Sequence, residues 1–426
     1  MNNQTTKPTT LKQWLAYIEA LHPKSIEMGL DRVNEVASNM ALESLPPVIS
    51  IAGTNGKGST CAMLEHIYSK AGYRVGAYVS PHLLHYNERV RVNQQNILDD
   101  DLCLAFSAVE AARSNVVLTY FEMGTLAALW HFSKENLDVI LLEVGMGGRL
   151  DAVNAFEPTC SIVTSIDLDH TDYLGDTREK IGVEKAGIYR NSKPAICGDD
   201  DPPKSLVRHA DEIGANLLLI HRDFEVIKTD DGWIYQTGQH QLSLPALALQ
   251  GDFQLNNAAC AICAVQSLAS ELPVTFDAIK NALANVTLLG RFYTISKNPE
   301  VILDVAHNPQ AAKSLAQNLI KHPANGHTLG VFAMLADKDI EQVTQELLPY
   351  ISAWYLADTQ NPRGAKAIEL ESYLLPQAEG RTKCFDTVTK ALQCACIDMG
   401  KNDRIIVFGS FYTVADAIEV LTAQGK

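Results

Sequence analysis

The run Gly53-Thr54-Asn55-Gly56-Lys57-Gly58-Ser59-Thr60 carries the clearest chemistry in this chain. Glycines let backbone N–H groups close around phosphate oxygens, and a helix that starts just after the loop adds its positive end. Lys57 would set a point charge against the β- and γ-phosphates of a nucleotide. The spacing is not the usual P-loop G-x-x-x-x-G-K-S/T, because the loop is shorter and Gly58 separates Lys57 from Ser59. An ordinary glycine-rich turn is the alternative. The apolar run from Val48 to Ala52 before it and the helical run from Ser59 to Ala71 after it weigh against that.

Three further positions could act on a nucleotide. Glu143 ends an apolar strand and enters a glycine-rich turn, a place where a carboxylate suits Mg²⁺ and its retained waters. His170 follows another strand, within Asp167-Leu168-Asp169-His170. Imidazole is an unusual Mg²⁺ ligand, so the residues alone leave open a metal ligand or a hydrogen-bonded core histidine. Lys185, in Gly182-Val183-Glu184-Lys185-Ala186-Gly187, reads by itself as a solvated side chain on a short helix. Tyr120 and Phe121 offer flat faces to an aromatic ligand, or else pack the start of a helix. Cys260 and Cys263 form a CxxC inside the helical run LNNAACAICAVQSL, where small buried thiols are the better reading than redox or zinc chemistry.

These positions need a scaffold of alternating strands and helices. Residues 11–42 read as helical, interrupted by a turn around Pro23. Strands are predicted at 48–52, 75–79, 139–142, 161–166 and 194–197, with helices near 59–71, 99–113, 121–135 and 177–190. Residues 224–245 change to short antiparallel strands around Asp230-Asp231-Gly232. Helices near 254–270 and 275–285 follow. A second alternation occupies strands 301–305, 328–334, 353–357 and 404–408 with helices 309–321, 339–348 and 413–423. Strands alternating with helices imply parallel sheets covered on both faces. The expected architecture is α/β: a P-loop-containing parallel-sheet ATPase domain over residues 1–290, and a smaller C-terminal Rossmann-like α/β domain over 298–426.

Composition limits the partners. The 426 residues carry 35 Lys and Arg against 50 Asp and Glu, a formal charge of −15, which disfavours nucleic acid and anionic membranes. A polar N-terminus, the lack of an apolar run of membrane length and nine scattered cysteines point to a cytoplasmic protein with reduced thiols.

The loop GTNGKGS is the form found in the Mur ligase and folylpolyglutamate synthase superfamily, and more motifs follow in family order. They are Ser80-Pro81-His82-Leu83, Glu88-Arg89-Val90, Thr119-Tyr120-Phe121-Glu122, the run Leu142 to Ala152, Asp169-His170-Thr171-Asp172, Glu184-Lys185-Ala186-Gly187-Ile188, Gly290-Arg291-Phe292 and Asp304-Val305-Ala306-His307-Asn308-Pro309. The chain thus resembles the bacterial bifunctional dihydrofolate synthase/folylpolyglutamate synthase family over nearly its whole length. The resemblance implies an ATP-dependent ligase joining L-glutamate to dihydropteroate and to tetrahydrofolate through an acyl phosphate, working as a monomer.

It also implies site residues. Gly53 to Thr60, Asn257, Arg291 and Asp304 would hold ATP, with Arg291 on phosphate and Asp304 on a ribose hydroxyl, unless Asp304 caps the following helix. Ser80, Glu143 and His170 would hold one or two Mg²⁺ ions, joined by Lys185 once N-carboxylated. Lys57, Lys185 and His170 would serve catalysis. Gly29-Leu30-Asp31, Thr119 to Glu122 and Leu150-Asp151-Ala152 would contact the pterin, with Glu122 pairing the ring's N–H edge. His307 and Ser410 would lie in the cleft. A monofunctional folylpolyglutamate synthase is the nearest rival. A cell-wall Mur ligase would need a UDP-sugar domain ahead of the loop, where 52 residues stand before Gly53. A regulatory P-loop NTPase would not need the paired metal motifs.

Overall fold

The structure is a computed structural model that describes residues 8–24, 26–40, 42, 44–375 and 377–424. Residues 1–7 of the polar start, and residue 41 of the expected helical stretch, lie outside the described residues. The chain divides into two compact units, Met1–Leu247 with Leu255–Val286, and Ala248–Gln254 with Thr287–Lys426.

The strands of the first unit are β1 (Val48–Ala52), β2 (Val75–Tyr78), β3 (Val90–Val92), β4 (Gln95–Asn96), β5 (Val139–Glu143), β6 (Cys160–Val163), β7 (Pro194–Cys197) and β8 (Asn216–Leu219), then β9 (Glu225–Thr229), β10 (Gly232–Thr237) and β11 (His240–Pro245). The first eight form one sheet in the order β4-β3-β2-β5-β1-β6-β7-β8. From β2 to β8 in that order neighbours are parallel. β1 and β5 are buried along their whole length, which is why both read as continuous apolar runs. One edge departs from the expected parallel sheet. There β3 returns antiparallel to β2 and pairs with β4, through a turn in which Asn93 and Gln94 both take positive φ. β9, β10 and β11 form a separate antiparallel sheet, as expected for 224–245.

The parallel order has a chemical consequence. β2, β5, β1 and β6 are neighbours, so their C-terminal ends deliver Ser80, Glu143, Gly53 and Thr164 to one edge, where open α/β sheets bind ligands. Helix Lys57–Lys70 follows β1 and is buried on nearly every side, with helix Phe276–Leu283 packed against it. The expected helical stretch 11–42 is two helices, Leu11–Leu21 and Asp31–Asn39.

In the second unit β12 (Tyr293–Lys297), β13 (Glu300–Asp304), β14 (Thr328–Phe332), β15 (Ala353–Ala357), β16 (Thr382–Phe385) and β17 (Arg404–Phe408) form a sheet ordered β12-β13-β17-β14-β15-β16. All neighbours are parallel except β12, which is antiparallel to β13. β17, the last strand in the chain, lies between β13 and β14, which sets its C-terminal end beside Asp304. Residues 248–254 belong to this unit although they fall within the span 1–290 expected for the first domain. Asp252 pairs with Lys321 on helix Pro309–Lys321, and Gly251 lies so close to Asn318 that a Cβ would sit 3.1 Å from its Oδ1.

Candidate active site

The glycine-rich loop is shaped from outside by the segment after β6. Thr164 Oγ1 donates to Asn55 O at 2.6 Å, and Ser165 Oγ accepts from Asn55 N at 3.1 Å. Thr54 N donates to Ser165 O at 2.7 Å, while Thr54 Oγ1 accepts from Asp167 N at 3.0 Å. A Cβ on Gly53 would lie 1.9 Å from Thr164 Oγ1, and Gly53 has φ +152°. Gly56, at φ +89°, leaves room for Asn257, whose Oδ1 would lie 2.4 Å from a Cβ there. Asn257 is thus brought to the loop. Gly56 starts helix Lys57–Lys70 without a side-chain cap, and the positive end of that helix faces the loop. Lys57 Nζ donates to Gly53 O at 2.9 Å and Thr54 O at 3.2 Å, so its charge rests over the loop. Gly53→Ala should lower stability by about 2 kcal/mol or more and abolish the rise in melting temperature that ADP gives the wild type. An unchanged nucleotide-dependent rise would contradict this.

At the neighbouring strand ends Ser80 N donates to Glu143 Oε2 at 3.1 Å, and Glu143 is buried. His170 takes a left-handed conformation before helix Thr171–Leu174. Its side chain is 37% exposed, with Nε2 3.9 Å from Asp169 Oδ2. That exposure does not fit a core histidine. Among the described residues no three of His, Cys, Asp and Glu gather as a metal cluster. The donors present, a strand-end carboxylate beside a serine, fit an ion that keeps several waters, as Mg²⁺ does.

Lys185 is not the solvated lysine that its helix suggests. It is 4% exposed, and burial, with the charge of Lys57, pushes its ammonium down to about 7 against the pull of Asp169 and Asp151. Helix Arg178–Ala186 is fixed two turns earlier by Arg178, which donates to Ile166 O at 2.9 Å and Asp199 Oδ1 at 2.7 Å. One side chain thereby ties the Lys185 helix to the segment that shapes the loop. Arg149 N donates to Glu184 O at 2.7 Å, and a Cβ on Gly148 would meet that carbonyl at 2.7 Å. The glycines after Glu143 therefore let the turn lie directly on the Lys185 helix.

The three segments expected at the pterin come together. Gly29 N donates to Leu150 O at 3.1 Å. Arg32 clasps Glu122 through Nε at 3.0 Å and Nη2 at 2.8 Å, and also donates to Glu27 O at 2.8 Å. Glu122 further accepts from Thr119 N at 2.7 Å, closing a capping box on helix Tyr120–Lys134. The buried Glu122 carboxylate is engaged in joining two segments, so a pterin edge would have to displace partners it already has. Asp151 is likewise buried, accepting from Met146 N at 2.9 Å and Val153 N at 3.0 Å; burial pushes its pKa up to about 6. It shapes the turn after Glu143. Ala152 is buried beside it, whereas Asp31 is exposed and Leu30 half-buried. Phe121 lies against Gly145, where a Cβ would sit 2.7 Å from its Cζ. Tyr120 meets Tyr86 edge-on at 5.6 Å. Both rings are half-buried, so each combines packing with an open face.

In the second unit Asp304 accepts from Phe292 N and Ala306 N, each at 2.8 Å. Burial pushes its pKa up to about 6, opposed by Arg291. The cap of helix Pro309–Lys321 is Asn308 and not Asp304. The Arg291 guanidinium lies 5.4 Å over the Phe411 ring. His307 Nδ1 donates to Val305 O at 2.8 Å. Ser410 has a structural duty: it is buried, its Oγ accepts from Thr413 N at 3.0 Å, and Thr413 in turn donates to Ala333 O at 2.6 Å. Cys260 and Cys263 are buried free thiols.

The Mur ligase middle domain model matches residues 51–265, and the Mur ligase, glutamate ligase domain model matches 290–411. The dihydrofolate synthase/folylpolyglutamate synthase of Escherichia coli K12 is 45% identical over 97% of this chain and 96% of its own length. The chain belongs to the dihydrofolate synthase/folylpolyglutamate synthase family of Mur ligases. Two solved members of that family share the fold closely. E. coli FolC in complex with DHPP and ADP has a TM-score of 0.93 at 44% identity, covering 99% of each chain. A bifunctional folylpolyglutamate synthase/dihydrofolate synthase with Mn, AMPPNP and L-glutamate bound has a TM-score of 0.90 at 42% identity, covering 98% of this chain and 100% of its own. For a member of this family, the residues that sequence reasoning passed over are Thr164 and Ser165, Arg178 and Arg32. The polar change after Cys160–Val163, in Thr164-Ser165-Ile166-Asp167, is the signal for the first pair, and the strand expected over 161–166 ends before it.

Proposed function

We propose that this chain is an ATP-dependent ligase that adds L-glutamate to dihydropteroate and to tetrahydrofolate. The observation that carries the reading is the pre-shaped loop at the start of helix Lys57–Lys70, with Lys57 held over it and its charge acting on a buried Lys185 of lowered pKa. A phosphoryl group needs positioning and charge stabilisation more than covalent help. The loop amides and Lys57 hold the β- and γ-phosphates of ATP. The acceptor's carboxylate oxygen attacks the γ-phosphorus and ADP leaves. Glutamate's amine then attacks the acyl carbon of the resulting acyl phosphate, the nitrogen gives up a proton, and phosphate leaves as the amide forms. Ser80 and Glu143 would hold Mg²⁺, with His170, and the ion would supply charge to the phosphates. Arg291 and Asp304 are proposed contacts of phosphate and ribose.

Lys185 is proposed to be N-carboxylated, which turns a cation into a second anionic ligand. The reaction joins the neutral amine to CO₂ and releases one proton. An ordinary lysine is almost wholly protonated at neutral pH, whereas burial brings Lys185 within reach of the neutral form. The pterin is proposed to lie among Gly29 to Asp31, Thr119 to Phe121 and Leu150, with the Arg32–Glu122 pair fixing the pocket wall. Residues 1–290 would bind ATP and pterin and 298–426 would carry the glutamate-ligase part. We also propose a cytoplasmic monomer; among the described residues no helix is long and apolar enough to cross a membrane. ADP release strictly dependent on both glutamate and a pteroate-type acceptor supports the ligase, and ATP turnover without either overturns it.

A further inference from the structure

One buried cation near the acceptor segments has no anion of its own. Arg89 ends the short turn Tyr86–Arg89 and is 9% exposed. Its Nε donates to His82 Nδ1 at 2.8 Å, so the imidazole meets it with a lone pair and brings no negative charge. The guanidinium lies over the rings of Tyr86 at 5.2 Å and Tyr120 at 5.6 Å. A guanidinium carries five N–H donors, so four remain once Nε is used, and no carboxylate of the described residues takes them. Other arginines of the same unit are supplied differently. Arg32 clasps Glu122 at 2.8 Å and Arg91 clasps Glu65 at 2.6 Å. The adjacent Glu88 is turned to other work, accepting from Leu83 N at 2.7 Å, Leu84 N at 2.8 Å and His85 N at 2.8 Å. A charge so far out of water calls for an anion.

We propose that Arg89 binds a substrate carboxylate that does not react: the second carboxylate on the terminal glutamate of the longer acceptor. The inference rests on the ligase reading above and deepens it. Tyr120, under the guanidinium, belongs to a segment proposed at the pterin end of the acceptor, and His82, on its Nε, stands two residues after Ser80 at the proposed metal site, which favours an acceptor that spans the two over the incoming amino acid. Dihydropteroate has one carboxylate, the one that reacts. Tetrahydrofolate ends in a glutamate with two, so one is left for an arginine. Arg89 therefore recognises the feature that separates the two acceptors, and it contributes to the second activity more than to the first.

The test is the KM for tetrahydrofolate, dihydropteroate, glutamate and ATP in wild type, Arg89→Gln and Arg89→Lys. Arg89→Gln should raise the KM for tetrahydrofolate about tenfold or more and leave the other three within about twofold. Arg89→Lys should fall between, since it keeps charge without the planar fork. A second measurement needs no variant. A tetrahydrofolate analogue with its non-reacting carboxylate replaced by a carboxamide should bind the wild type more weakly by a similar factor. Equal binding of analogue and parent overturns the proposal. So does an unchanged tetrahydrofolate KM in Arg89→Gln, an equal loss with both acceptors, or a loss confined to glutamate or ATP. Wild-type enzyme that turns over neither acceptor overturns the ligase reading, and this proposal with it.

Discussion

Lys57→Ala should lower amide formation by about a thousandfold while the protein stays folded, as expected when a charge on a transferring phosphoryl group is removed. The fold depends little on this side chain, whose bonds go to the Gly53 and Thr54 carbonyls at the loop surface. Its loss should cost at most about 1 kcal/mol of stability. A second consequence separates this account from a merely structural one. The charge of Lys57 helps to hold the Lys185 pKa down. In Lys57→Ala the Lys185 pKa should therefore rise, and carboxylation at a fixed CO₂ level should need a higher pH. Steady-state rates with thermal melting test the first part, and ¹³C NMR of the labelled carbamate tests the second. Near-normal turnover in Lys57→Ala would remove the nucleotide assignment.

Lys185→Ala should be nearly as damaging, with activity partly restored by acetate or formate. The alanine leaves a hole on helix Arg178–Ala186 that a small carboxylate can fill, standing in for the carbamate. The pH behaviour follows from linkage. The Lys185 pKa is about 7 in the fold against an ordinary lysine's 10.5, so between those values the unfolded chain binds more protons. Stability contributed through this group therefore rises with pH across that window, and its protonation penalty is fully present below about 7. Lys185→Met should flatten that rise. Carboxylation should grow in the same direction, since it consumes the neutral amine. A Lys185→Ala enzyme that small carboxylates do not rescue, with no carbamate signal in the wild type, would refute the modified lysine.

Much of this was legible in the sequence because its cause is local. The loop Gly53 to Thr60 announces itself through glycines that need positive φ and close approach, and the buried strands through unbroken apolar runs. Helix Pro309–Lys321 was placed by Asn308 and Pro309, a cap followed by a first-turn proline. The missed elements are those whose signal is weak. Helix Lys204–Glu212 is polar on most of its surface, and β16 lies at a sheet edge with no residue fully buried. Helices Ala367–Leu374 and Val388–Asp398 flank that edge strand, and without it nothing separates them in the stretch between β15 and β17. Roles that depend on distant partners were out of reach. Glu122 looked available because Arg32, its partner, stands ninety residues away in the chain. Lys185 looked solvated because nothing in its own helix shows what covers it. Arg89 was quoted as part of a motif, but its missing counter-ion is visible only once Glu88 is seen facing elsewhere.

The central claim is tested most directly by the products of the wild-type enzyme. Purified protein, ATP, Mg²⁺ and L-glutamate would be incubated in parallel with dihydropteroate and with tetrahydrofolate, and the products read by mass spectrometry. The account predicts that both acceptors gain one glutamate residue, each addition matched by one ADP and one phosphate. Addition to tetrahydrofolate alone would contradict the bifunctional reading and leave a monofunctional folylpolyglutamate synthase. Addition to neither, with ATP still bound, would contradict the ligase itself.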